Sequence, residues 1–153
     1  MLLLDMLKII EYMMNDNRID VNKSVPFAVM CSKCHLKIIE YMMNDSRIDV
    51  NVKDETGMIG FLNACNNINS SMIKYMMDDT RIDVNESTSN RTTTFSIICA
   101  SGSLEMKKYM MNDEKIDLNN ANKNNITPFY FVYKNKYYEN IKYVMKNERI
   151  KMI

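Results

Sequence analysis

The sequence predicts an all-α protein built as a solenoid, in which short helix pairs stack in a row and finger-like loops join them. The first observation is a repeat: an amphipathic helix end, a polar turn and then Ile-Asp-Val-Asn recur along the chain. The repeated strings begin at Arg18, Arg47, Arg81, Lys115 and Arg149. The step between them is constant from Arg47 onwards and is shorter between the first two. A fixed period of about 20–50 residues is typical of stacked supersecondary units.

A second set of marks runs in register with the first and predicts two helices in each unit. Four phenylalanines each stand at one fixed distance before a tyrosine, as Phe61 does before Tyr75, and a cysteine follows the first three phenylalanines at one fixed spacing. The phenylalanine and cysteine belong to an early helix, and Ile-Lys-Tyr-Met-Met belongs to a later one. Helices this short bury too little surface to persist alone but share a core when stacked. The predicted helices are 1–14, 26–33, 36–44, 60–67, 70–78, 94–101, 104–112, 128–135 and 138–147.

The segments between the helix pairs predict extended, β-hairpin-like fingers with a turn at the tip. Three of them are full fingers, at 51–59, 85–93 and 119–127, and the connection at 22–26 is shorter, which explains the shorter first step of the repeat. Gly57 is expected to supply a positive φ at the first tip. Arg91 holds the same place in the next finger, and we expect that finger to be distorted or mobile because arginine tolerates this conformation poorly.

Four motifs in register resemble the ankyrin repeat, and the resemblance covers essentially the whole chain. Thr127-Pro128-Phe129 is similar to the family's Thr-Pro-Leu opening, and Phe61-Leu62-Asn63-Ala64-Cys65 to its Ala-Ala helix. Ser101-Gly102-Ser103-Leu104-Glu105 resembles its Gly-His-x-Glu turn, and Asp83-Val84-Asn85 its Ala-Asp-Val-Asn. The family's usual period is about 33 residues, and the full repeats here are slightly longer. The family's histidine after Thr-Pro-Leu, which joins helix to finger, is replaced here by Ala28, Leu62, Ser96 and Tyr130.

The repeat boundaries divide one domain, 1–153, into successive units. Residues 1–22 form a half repeat, 23–51 a short repeat, and 52–85, 86–119 and 120–153 full repeats. The first segment copies only the second helix of a repeat. We therefore expect either a fragment of a longer array or a first helix that serves as a cap.

Composition excludes several classes of function. The net charge is +1, which provides no broad field for nucleic acid or an anionic membrane. No stretch reaches transmembrane length, and the start lacks the basic region and cleavage site of a signal peptide. The cysteines at equivalent core positions are too far apart for disulfides, so we expect free thiols and a reducing, cytoplasmic location. These are Cys31, Cys65 and Cys99.

Motifs that suggest catalysis or metal binding have simpler structural interpretations. Cys31-Ser32-Lys33-Cys34-His35 matches the pattern of haem attachment, but Cys31 is the repeat's core cysteine and this histidine is the only one in the chain. Asp78 and Asp79 lack a calcium loop and indicate a helix end. The aspartates of the repeated motif are expected to accept backbone N–H bonds in turns. These aspartates are Asp20, Asp49, Asp83 and Asp117. We therefore expect that the chain is not an enzyme and binds no cofactor, metal or small-molecule substrate.

The resemblance implies a non-catalytic module that binds a protein partner through a concave groove of finger tips and first helices. This groove is polar and lacks aromatic anchors except near Tyr130. The last repeat, rich in tyrosine and lysine, fits either a cap or a docking surface. The competing class is a structural spacer or regulatory segment of a larger protein. The family's contact positions fall on Ser32, Lys33, Glu55, Thr56, Met58, Asn66, Asn67, Ser89, Asn90, Thr92, Ala100, Ser101, Ile126, Lys134 and Asn135.

Overall fold

The computed structural model describes residues 3–24, 26–33, 35–101 and 103–151. These residues form ten helices and no strand, which confirms the all-α prediction. No helix among them is both long and apolar enough to cross a membrane. Cys34 and Gly102, each part of a motif discussed above, lie outside the described residues. The helices are α1 (Leu3–Asn15), α2 (Val21–Ser24), α3 (Phe27–Lys33), α4 (Leu36–Met43), α5 (Gly60–Asn66), α6 (Ser70–Met77), α7 (Thr94–Ala100), α8 (Leu104–Asn112), α9 (Pro128–Lys134) and α10 (Tyr138–Val144).

Helices α5 to α8 end within one residue of their predicted bounds, and local capping explains where three of them begin. The side chains of Asn69, Thr93 and Ser103 precede α6, α7 and α8 and accept hydrogen bonds from backbone N–H groups in the first turn, at 3.2–3.3 Å. Such caps satisfy donors that the helix itself leaves without a partner. Pro128 opens α9, where its missing N–H costs nothing.

Two predicted bounds were wrong. Residues 22–26 were expected to be a plain connection, but Val21–Ser24 forms one helical turn, because the Lys23 N–H binds Asp20 O at 3.1 Å. Helix α10 ends at Val144 instead of residue 147, because the backbone N–H of Asn147 binds Val144 O at 3.1 Å, as in a turn.

The first helices of successive pairs pack side by side in one row: α3 contacts α5, α5 contacts α7, and α7 contacts α9. Each is also packed against its own second helix. The equivalent phenylalanines Phe27, Phe61 and Phe95 are fully buried along this row. The second helices contribute the methionine pairs, which are buried as their spacing predicts. The core is therefore one continuous strip that runs through the stack.

Gly60 permits the close approach of α3 and α5. A Cβ at this position would lie 2.7 Å from Sγ of Cys31 and 2.9 Å from the ring of Phe27. Because those atoms belong to the buried core, a larger residue would force the two helices apart. The thiols of Cys31, Cys65 and Cys99 are all buried, and those of Cys65 and Cys99 are free.

The three full fingers close with the same hydrogen-bonded turn. The backbone N–H groups of Asp54, Thr88 and Asn122 bind the carbonyl oxygens of Met58, Thr92 and Ile126, at 3.0–3.1 Å. The described residues contain one isolated β-bridge, between Ser87 and Thr93.

The residue at each finger tip has a positive φ, as predicted for Gly57. The values are 80° for Gly57, 59° for Arg91 and 57° for Asn125. The expected distortion of the finger at 85–93 was therefore wrong. Its turn is held by the backbone and by Thr88, whose hydroxyl oxygen accepts a hydrogen bond from the Thr92 N–H at 3.2 Å. These bonds offset the cost of about 1–2 kcal/mol for a left-handed arginine.

Candidate functional site

A groove of about 410 Å³ lies along the row of first helices, between α5, α7 and α9. It is lined by helix residues and by the finger at 85–93, and so combines residues that are far apart in sequence. Four of the predicted contact residues line it together: Asn66, Thr92, Ala100 and Ser101. The residues that sequence reasoning missed are mostly apolar. They are Ile68, Ser96, Ile97 and Phe131.

The polar rim of this groove offers both fixed and free hydrogen-bonding groups. The hydroxyl of Ser101 donates to the carbonyl oxygen of Ile98 at 2.6 Å and accepts the Ser103 N–H at 3.3 Å, so one lone pair of its oxygen remains as an acceptor at the end of α7. Asn66 is exposed at the end of α5, and its side-chain amide has no hydrogen-bond partner within the described part of the chain. A free amide carries two donors and an acceptor, which suits the backbone of an extended peptide.

Ile68 is the most unusual residue of the groove. It has φ 54°, although β-branched residues are genuine outliers in the left-handed region. The turn after α5 requires this conformation, because the Ile68 N–H binds Cys65 O and the Asn69 N–H binds Ala64 O, at 3.0 and 3.1 Å. The isoleucine is also 36% exposed. The sequence held a signal for it, since Gly102 stands at the equivalent position one repeat later.

The finger-tip positions among the predicted contacts divide into free and structural residues. Glu55, Ser89 and Asn90 have exposed side chains. The Thr56 hydroxyl donates to Asp54 Oδ1 at 2.6 Å and so helps to hold its own turn. Met58 is half-buried against the core. Ile126 is half-buried as well.

The remaining predicted residues lie at helix ends, outside the groove. Asn67 Nδ2 donates to Asn63 O at 2.8 Å, and Ser32 Oγ donates to Val29 O at 2.7 Å, so both close the last turn of a first helix. Asn135 Nδ2 donates to Ala100 O at 2.9 Å and links α9 to α7. Lys33 and Lys134 are exposed.

Hydrogen bonds join the first helices to the fingers. Asn63 Nδ2 donates to Ala28 O at 2.9 Å and to Asp54 Oδ2 at 2.8 Å, which joins α3, α5 and the finger. Burial raises the pKa of Asp54, but hydrogen bonds from Thr56 and Asn63 outweigh it and hold that pKa below its usual value. In the next repeat the Thr94 hydroxyl donates to Val84 O at 2.6 Å. Both arrangements fix the fingers relative to the groove.

The asparagine of Asp-Val-Asn links each repeat to the next. In Asn51, Nδ2 donates to Arg81 O at 2.6 Å and Oδ1 accepts from the Asp83 N–H at 3.0 Å. The same pair of bonds is formed by Asn22, Asn85 and Asn119. The aspartate of the motif accepts its own turn's N–H, as predicted, at 2.9–3.1 Å. We call this set of asparagine contacts the asparagine ladder.

The basic residue that begins each string forms a second link. Arg81 Nη2 donates to Met43 O at 2.6 Å, at the end of the previous repeat's second helix. Arg47, Lys115 and Arg149 reach Met14 O, Met77 O and Met111 O in the same way. A cation at this end also complements the helix dipole. The side-chain hydrogen bond from Arg81 holds the pKa of Asp79 below its usual value.

The cysteines and the metal-ligating side chains of the described residues lie as follows. Within these ranges, no three His, Cys, Asp or Glu side chains lie together as metal ligands would. Burial raises the pKa of Cys65 far above its usual value, and that of Cys99 to about 12, so neither thiol is an available nucleophile at neutral pH.

Comparisons with known families and with curated proteins give no match for this chain. A scan against models of protein families finds no match, and a search of curated proteins finds no similar chain.

Proposed function

We propose that this chain is an ankyrin-type solenoid that binds a protein partner in the groove between α5, α7 and α9, without catalysis. The stack of helix pairs, the turns that close the fingers and the asparagine ladder support the ankyrin assignment. Each is an independent feature of the same repeating unit. A stack of this kind offers an extended binding surface along one side.

The observation that carries the binding proposal is Ile68. Its left-handed backbone and its exposed side chain both cost free energy, and both occur at the wall of the groove. Strained residues of this kind concentrate at binding sites, where a function maintains them against their cost. Together with Ile97 and Phe131, it gives the groove an apolar wall opposite the free amide of Asn66.

The groove's composition suits an extended polypeptide segment. The amide of Asn66 and the hydroxyl of Ser101 can bind backbone groups, and the apolar wall can accept one hydrophobic side chain of the partner. The lining includes no charged residue, so the interaction should depend weakly on salt.

The test compares two variants of equal charge in pull-downs from lysate of the source cells. Asn66→Arg with Ser101→Arg fills the groove with two cations. Ser46→Arg with Asn112→Arg adds the same charge at positions outside it, where both side chains are exposed. The proposal expects a protein that the unmodified chain and the control variant retain and the groove variant loses, with direct binding then measured on the purified pair.

Two results would overturn the proposal. If the groove variant and the control retain the same proteins, the groove is not the binding surface. If nothing is retained by any form, a spacer or regulatory role within a larger protein becomes the better interpretation.

A further inference from the structure

The near-zero net charge of the chain conceals a strong separation of charge. Residues 120–153 carry seven basic and two acidic side chains, a net charge of +5, whereas residues 1–119 carry 13 basic and 17 acidic ones, a net charge of −4. A surface with a local excess of this size attracts anionic partners even when the whole chain is neutral.

The basic side chains of the last repeat also lack ion-pair partners. Seven ion pairs occur among the described residues, and all of them lie before residue 116. The lysines after that point are exposed, and none is within 4.0 Å of a carboxylate in the described part of the chain. Elsewhere in the fold, some exposed lysines have such partners, as Lys115 has with Asp113 at 3.5 Å, whereas others such as Lys37 have none among the described residues. The unpaired lysines are Lys123, Lys134, Lys136, Lys142, Lys146 and Lys151.

Three lysines converge on one hollow of about 170 Å³ between α8 and α10. Lys108, Lys142 and Lys146 line it together with Tyr143, and Glu139 is its one acidic residue. The hollow lies on the side of the second helices, and it shares no lining residue with the groove described above.

Exposed tyrosines of the same repeat argue against a simple cap. Tyr133 is 66% exposed and Tyr138 is 73% exposed, whereas the outer face of a capping repeat is polar. Exposed tyrosine is enriched at surfaces that bind another protein.

The tyrosine rings favour carboxylates over stacked nucleobases. Lysine ammonium groups lie over the rings of Tyr130, Tyr137 and Tyr143, at 6.0, 5.5 and 4.9 Å from the ring centroids. One face of each ring is therefore occupied by a lysine, and the ring's hydroxyl group and positive edge suit an anionic ligand. Hydroxyl donors and ammonium groups together match an acidic peptide.

We infer that the basic surface around the hollow of Lys108, Lys142 and Lys146, between α8 and α10, docks an acidic segment of a protein partner. Glutamate or aspartate side chains enter the lysine-lined hollow, whose wall includes Tyr143. The groove between the first helices takes no part in this contact.

The test is fluorescence anisotropy at low salt with a short fluorescein-labelled peptide of glutamate and leucine. The same peptide with glutamine in place of glutamate, and a thymidine oligonucleotide of similar length, are the comparison ligands. The variant Lys142→Glu with Lys146→Glu reverses the charge of two lysines that line the hollow. The control Lys8→Glu with Lys37→Glu reverses the charge of two exposed lysines elsewhere. Lys142→Gln with Lys146→Gln removes the charge more gently.

We expect the acidic peptide to bind the unmodified chain and the Lys8/Lys37 control alike, and to bind the reversed hollow at least about tenfold more weakly. The glutamine variant should fall between them. The groove variant Asn66→Arg with Ser101→Arg should bind the peptide normally, which separates this inference from the proposed function. Equal loss in the hollow and control variants, no binding by the unmodified chain, or tighter binding of the oligonucleotide would overturn it.

Discussion

The side chain of Asn85 accepts a hydrogen bond from the backbone N–H of Asp117, on the following repeat, at 2.7 Å. The Nδ2 of the same side chain donates to Lys115 O at 2.7 Å. One amide thus satisfies a donor and an acceptor of that repeat, and so substitutes for a backbone pairing between the two loops.

Replacing Asn85 with alanine should lower the free energy of unfolding by about 1–2 kcal/mol, because both backbone groups lose their partner. Urea unfolding followed by circular dichroism measures this change. The matched control is Asn112→Ala, since Asn112 is exposed and its side chain forms no hydrogen bond within the described residues. Equal stability of the two variants would show that water replaces the asparagine ladder without cost.

Replacing Arg81 with methionine should make stability less dependent on pH in acid. Arg81 lowers the pKa of Asp79, so the folded state releases that proton more readily than the unfolded state. The stability that results is present above the unfolded-state pKa and is lost as the pH falls through the lowered folded-state pKa. The variant should therefore be less stable at neutral pH and should lose less on acidification.

The measurement for Arg81→Met is the unfolding midpoint in urea from neutral to acid pH. Lys37→Met serves as control because it removes one exposed positive charge that has no ion-pair partner in the described part of the chain. A parallel shift of the whole profile, with no change of slope in acid, would contradict the assigned role of Asp79.

Lys107 is fully buried at a position where the preceding repeats have Ile39 and Ile73. Its ammonium lies 3.4 Å from Ser103 O and 5.5 Å from the ring centroid of Tyr137. Burial lowers the pKa of Lys107. Folding therefore disfavours the charged form, and this penalty is complete at pH values below the lowered pKa.

Lys107→Met should raise the free energy of unfolding by about 1–2 kcal/mol at neutral pH, because it removes a buried charge while keeping an unbranched side chain. The gain should shrink as the pH rises towards the ordinary lysine pKa, since the deprotonated amine no longer carries the penalty. Thermal unfolding as a function of pH measures both effects, with the exposed Lys108→Met as control. A loss of stability at every pH would mean that the contacts with Ser103 and Tyr137 outweigh desolvation.

Ile68→Gly should stabilise the fold and weaken partner binding at the same time. Glycine removes a left-handed cost of about 1–2 kcal/mol, less the flexibility that it adds to the unfolded chain. Lys136 has the same φ of 54° at the equivalent position and does not line the groove. Lys136→Gly should therefore give a similar stabilisation and leave capture of the groove partner unchanged. Loss of capture by both variants, or by neither, would contradict the role given to Ile68.

Most of the helices could be predicted from the sequence because equivalent positions of successive repeats are buried. Phe61 and Phe95 are one repeat apart and occupy equivalent places in the core. Once the period is known, a buried phenylalanine in one repeat predicts a helix at the equivalent position of the next repeat. The one-turn helix at Val21–Ser24 was missed because the short repeat has no equivalent elsewhere in the chain.

The groove was predicted in part. Asn66 and Ser101 were found because they stand at the ends of first helices, whereas Ile68 and Phe131 were missed. The backbone preferences of isoleucine and arginine disfavour a positive φ. At Ile68 and at Arg91, the hydrogen bonds of the turn outweigh that preference.

The sequence shows the repeated asparagines of the asparagine ladder but does not show which atoms they bind. Its partners are backbone atoms of the next repeat, and no side-chain pattern marks such atoms. Only the stacked structure brings them together.

The asparagine ladder also has a consequence for how such a chain can change in length. Every bond in it runs from one unit to the next, and the atoms at each junction are the same. If residues 86–119 were removed, Asn85 would meet the backbone at Arg149 and Lys151, which Asn119 now binds. Whole units can therefore be lost or duplicated by a single recombination event, and the new junction is already complementary.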